Sequence, residues 1–101
     1  MRRMPSVGEI ISAVSEAFGV PPDVMVGGGM HANAVAARSA AVVLLRQWRS
    51  MSFNECANAL CMGDHSTAAT TARAWRDRRG ADPTNASRME TAIILIERAT
   101  R

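Results

Sequence analysis

Apolar residues in the first segment recur with a helical period. Val7, Ile10, Ile11, Val14 and Phe18 stand at i, i+3, i+4, i+7 and i+11, which gathers them on one face. The pattern predicts a helix from about Val7 to Phe18. Ser6 can cap its start, with Glu9 completing a capping box. Gly19 can end it, because glycine accepts the left-handed conformation at a helix terminus. Val20-Pro21-Pro22-Asp23 then reads as a rigid turn, followed by a short turn of helix through Met25. Gly27-Gly28-Gly29 is a loop; it lacks the spacing, the Lys and the preceding strand of a phosphate cradle. A second long helix is predicted over 34–48, with Val35, Val42, Leu45 and Trp48 as its inward stripe and Arg38 and Arg46 on other faces.

The next stretch is the most informative. Ser52-Phe53-Asn54-Glu55 forms a capping box and marks a helix start at about Phe53, with an end near Leu60. Cys61-Met62-Gly63 makes a tight turn, and Asp64 is placed to cap a following helix over 65–78. Two helices joined by a short turn containing glycine form the helix-turn-helix pattern. Gly80-Ala81-Asp82-Pro83-Thr84 reads as a linker. A last helix is expected over 88–100, capped by Ser87 with Glu90, with Met89, Ala92, Ile93 and Ile96 as its apolar stripe. No segment alternates as a strand does. The expected fold is all-α, a compact bundle of about five helices, divided into a helix-turn-helix domain over 1–80 and a linker and C-terminal helix over 81–101 that packs on it or docks a partner.

Composition narrows the function classes. With 101 residues the chain has room for one domain. Its apolar runs are too short to cross a bilayer, and no charged start precedes an apolar block of leader length, so a cytoplasmic protein is expected. Cys56 and Cys61 are expected to be buried, reduced thiols. A metal site completed by His31 and His65 is the sharper alternative, but its spacing matches no zinc motif. No carboxylate pair, Ser/His/Asp set or cofactor loop has catalytic spacing, so neither an enzyme nor a cofactor is expected. All twelve basic side chains are Arg, whose planar fork suits phosphate oxygens. Seven of them fall within residues 30–80 against three acids, while the flanking segments are balanced or slightly acidic. The positive excess therefore coincides with the helix-turn-helix.

The predicted helix from His65 has two faces. Ala68, Ala72 and Trp75 fall on one; His65, Ser66, Ala69, Thr70, Arg73 and Arg76 lie largely on the other. Small and hydroxyl side chains admit a close approach to base edges, and Arg73 and Arg76 suit phosphates. A solvated amphipathic helix has the same outline. Trp48 and Trp75 are expected in the core, since both sit on apolar stripes.

The run Gly63-Asp64-His65-Ser66-Thr67 resembles the start of the recognition helix in the C-terminal DNA-binding domain of the bacterial replication initiator DnaA, a Trp-repressor-like helix-turn-helix fold. The resemblance runs from about Ile10 to Trp75 and takes in Phe18-Gly19-Val20, Arg38, Leu44-Leu45 and Ser52-Phe53-x-Glu55. It implies base contacts in the major groove from His65, Ser66 and Thr67, with Asp64 beside them. It also implies support of DNA contact from Arg38 and phosphate contact from Arg46. Three positions depart from the family: the 27–33 loop carries no Arg or Lys, Cys61-Met62-Gly63 replaces Gly-Gly-Arg, and Ala57 replaces a glycine. These departures imply weaker binding than the initiator's. Small proteins with this domain resemble phage or gene-transfer-agent transcription activators, which implies double-stranded DNA and a sigma-like protein or RNA polymerase as partners. The competing reading is a module of the same fold that regulates by binding protein instead of DNA.

Overall fold

The computed structural model describes residues 3–26 and 31–101. They form six α-helices: α1 (Val7–Phe18), α2 (Pro22–Val26), α3 (Ala32–Arg49), α4 (Phe53–Ala59), α5 (His65–Asp77) and α6 (Pro83–Ala99), with one 3-10 turn at Arg79–Ala81. The 27–30 stretch, expected as part of a glycine loop, lies outside the described residues. Among those described there is no strand, and no helix is long and apolar enough to cross a membrane.

Local capping sets several helix ends where the pattern predicts them. Ser6 and Glu9 close a reciprocal capping box at α1. Gly19 ends that helix at φ +66°, a conformation that costs a residue with a side chain and leaves glycine unstrained. The Arg3 guanidinium grips the Glu9 carboxylate from one side and donates to the Ala99 carbonyl from the other. That grip, with the Ser6 amide, pulls the Glu9 pKa down to about 2.

The central element is α3. The expected inward stripe is only part of its buried surface: Val42 and Leu45 are buried, whereas Val35 and Trp48 are half-buried. Ala34, Ala36, Ala37, Ala40 and Ala41 are buried as well, so contact extends around most of the helix. Small side chains let α1, α2, α4 and α5 all pack against it. The space between helices is filled by Ile10, Val14, Phe18, Met25, Leu44 and Leu60, each buried. A fully buried Phe or Leu contributes about 1.5–3 kcal/mol relative to an exposed one.

Several expectations are corrected here. Residues 80–84 are not a linker: the 3-10 turn leads directly into α6, which starts at Pro83 and not at residue 88. Asp82 caps it by accepting from the amides of Thr84 and Asn85, and Pro83 sits where its missing N–H is of no consequence. Ser87 and Glu90 therefore lie inside the helix and form no capping box; the Ser87 carbonyl accepts from the Thr91 hydroxyl. Cys56 is buried, and burial pushes its thiol pKa up, but Cys61 is exposed. Arg38, expected on an outward face, is 7% exposed and donates to the Met25 carbonyl at 3.1 Å. Helix α6 packs along α1, with Ala92 and Ile96 buried.

Candidate nucleic-acid interface

Two capped helices and one strained turn build the site. Ser52 and Glu55 form a full capping box at α4, and the Ser52 amide draws the Glu55 pKa down. The chain then reverses through two residues in the left-handed region, Cys61 at φ +53° and Gly63 at φ +86°. The Met62 amide closes the turn on the Ala57 carbonyl at 2.8 Å. Glycine takes this backbone without penalty; Cys61 pays roughly 1 kcal/mol for it. Its side chain is exposed, and not buried as expected.

Asp64 caps α5. It accepts from the Thr67 amide at 3.0 Å and from the Thr67 hydroxyl at 3.2 Å, and the first of these bonds leads in holding its carboxyl pKa below the ordinary range. The hydroxyl bond also ties the side chain of Thr67 to the front of the helix. Ala68 and Trp75 anchor the inner face of α5, and Trp75 meets Phe18 edge-to-face with ring centroids 6.2 Å apart.

The opposite face is open. Asp64, His65, Ser66, Thr67, Thr70, Arg73 and Arg76 are all exposed, and Ala69 is half-buried. At 100° per residue, Ser66, Thr70, Arg73 and Asp77 point most directly away from Trp75. Arg73 and Arg76 reach one flank, where they line a cleft with Val43, Arg46, Phe53, Ala69 and Ala72. Arg46 is held in this cleft: its guanidinium lies 3.8 Å from the Phe53 ring centroid and donates to the Met51 carbonyl at 3.1 Å. Arg46, Arg73 and Arg76 thus converge from two helices on one groove. Arg76 also contacts Asp77 at 3.3 Å.

The remaining sequence-derived site residue, Arg38, stands apart from that groove. It sits behind the first turn of α5, in a second cleft that Thr67, Thr71 and Arg79 also line. Burial lowers its pKa from the usual guanidinium value. Its carbonyl bond and 7% exposure make it a strut under the surface. Among the described residues, no group of three or more His, Cys, Asp or Glu side chains is placed to hold a metal ion.

Residues 7–74 match the family described as the bacterial DnaA protein helix-turn-helix. The chain belongs to the bacterial DnaA helix-turn-helix family. The match takes in α1 to α4 and nearly all of α5, and it stops before α6. The DnaA helix-turn-helix is a DNA-binding family, and α4 and α5 are the two helices joined by the short turn of that motif. A search of curated proteins finds no match to the chain.

Two features of this DnaA-type surface escape a reading of the sequence. The stacking of Arg46 on Phe53 joins α3 to α4, and a bond from Arg79 to Ser39 spans forty positions. Neither carries a local signal. The positive excess over residues 30–80 covers this stretch without resolving which arginines meet in one cleft.

Proposed function

We propose that the protein is a site-specific regulator of transcription that binds double-stranded DNA by laying α5 in the major groove. His65, Ser66, Thr67 and Thr70 meet base edges, and Arg46, Arg73 and Arg76 neutralise phosphates on one strand. The observation that carries this reading is the convergence of those three arginines beside an exposed row of small hydroxyl side chains on α5. Phosphate contacts set register and base contacts set preference. Asp64 organises the front of the helix through Thr67, and Arg38 supports the same turn from behind.

The finer role is activation. Bound near a promoter, the domain recruits a sigma-like protein and RNA polymerase through another face, as in the phage and gene-transfer-agent activators it resembles. Helix α6 offers such a face, since Ile94 on it is 47% exposed. Such a regulator works at the nucleoid in the cytoplasm and needs no cofactor.

The test is a binding titration against salt on duplexes selected from a random pool. Four to six neutralised phosphates give a log–log slope of roughly −4 to −5. Arg73→Ala weakens binding to all duplexes about equally. His65→Ala combined with Ser66→Ala narrows the gap between selected and random duplexes by about 1–3 kcal/mol per lost base contact. A slope near zero with no selected sequence rejects DNA binding, and a tight protein partner in that case supports the interaction-module reading.

A further inference from the structure

The flank of α5 away from Arg46, Arg73 and Arg76 holds the second cleft, between the front half of α3, the helix-turn-helix turn and the 3-10 turn after α5. Thr67 and Thr71 form its wall on α5, and they also line the shallow surface around Asp64, Ser66 and Thr70. The cleft is therefore continuous with the face assigned to DNA. Arg79 reaches into it from the 3-10 turn and is steadied by donating to the Ser39 hydroxyl at 2.8 Å. No carboxylate among the described residues pairs with Arg79. Burial, and next the neighbouring Arg78, lower its pKa from the usual guanidinium value, so its charge is not offset from within the fold. Arg38 adds a second positive charge to the same cleft.

An α-helix about 10–12 Å across fills a major groove about 12 Å wide, so one phosphate backbone runs along each flank. The first basic cleft serves one flank. We infer that the Arg79 cleft is a phosphate site for the other: Arg79, oriented by Ser39, binds a backbone phosphodiester of the opposite strand, with Thr67 and Thr71 at the rim. This inference rests on the DNA-binding reading above. A guanidinium has five N–H donors, so the bond to Ser39 leaves a fork for phosphate oxygens.

The experiment measures fluorescence anisotropy of a labelled duplex selected by the wild-type protein, across about 50–200 mM salt. Arg79→Gln should flatten the slope by about 0.9, so affinity falls about threefold less over that range, and the preference between duplexes should not change. Arg79→Lys should keep the wild-type slope. Thr71→Glu supplies the missing carboxylate at the cleft wall, and it should weaken binding at least tenfold with thermal unfolding unchanged; this variant keeps the test decisive should Arg79→Gln fail to fold. A wild-type slope for Arg79→Gln, or wild-type affinity for Thr71→Glu, overturns the phosphate site while leaving DNA binding intact. A wild-type protein with no salt dependence overturns both.

Discussion

Gly80 offers a test in which two physical effects oppose each other and their sizes decide the sign. Its φ is not in the left-handed region, so alanine can adopt its backbone. On entropy alone, Gly→Ala at a compatible position stabilises a protein by about 0.4–1 kcal/mol, through the unfolded chain. Here a Cβ would stand 2.8 Å from Trp75 Nε1 and 2.9 Å from the Trp75 carbonyl oxygen. Both atoms resist displacement. The ring is wedged against Phe18 in the core, and the carbonyl belongs to the end of α5. Relieving the overlap means shifting the 3-10 turn away from α5, and overpacking of this kind costs about 1–3 kcal/mol. The steric effect is the larger, which leaves a net destabilisation of about 1–2 kcal/mol. For a domain of this size that lowers Tm by roughly 4–16 °C. Thermal unfolding followed by circular dichroism reads the shift, and Trp fluorescence reports whether the indole has moved. A Gly80→Ala protein as stable as the wild type, or more stable, would refute the close approach of the 3-10 turn to Trp75.

Asp77 is exposed on the outward face of α5 and contacts Arg76 at 3.3 Å. Asp77→Asn removes a like charge facing phosphate and frees Arg76, so affinity for every duplex should rise by up to about fivefold, for a gain of 1 kcal/mol or less; an unchanged or weaker affinity in a mobility-shift titration contradicts the placement. Acid should destabilise the fold in a defined window. The carboxyls of Glu9, Glu55 and Asp64 all titrate below their ordinary values in the folded state, Glu9 at about 2. Stability from such groups is full above their unfolded pKa values, about 3.9–4.3, and drains away as pH falls through the folded ones. Tm should therefore drop steadily from about pH 5 towards pH 2, and Glu9→Gln should make the drop shallower. A Tm that rises on acidification would show the sign to be wrong.

What the sequence disclosed was what is local. The boxes at Ser6–Glu9 and Ser52–Glu55, the cap at Asp64 and the stop at Gly19 each involve residues within one turn, so the signal and its structure coincide. The two faces of α5 follow largely from period, with Ala68 and Trp75 inside and Ser66, Thr70 and Arg73 outside, while Ala69 and Thr71 lie half-buried between them. The start of α6 was legible too, because the stretch expected as a linker contains Asp82-Pro83, a capping aspartate followed by a proline at the first helical position. On α3 the apolar period is blurred, since alanine fits a buried or an open position equally well. Arg38 therefore looked outward from its place on the helix while the packing of α2 covered it. The Arg79–Ser39 bond and the Arg46–Phe53 stack depend on how separate helices meet, and no spacing in the chain encodes that.

The Arg3 amide reaches the Thr100 carbonyl at 3.3 Å, while its guanidinium reaches Ala99. The two ends of the described chain are thus stitched side by side. A short bridge could join them into a ring, and new ends could be opened at an exposed bend elsewhere without rerouting any helix. Segments attached before Arg3 and after Thr100 would leave the domain as neighbours, so a single partner could grasp both at once.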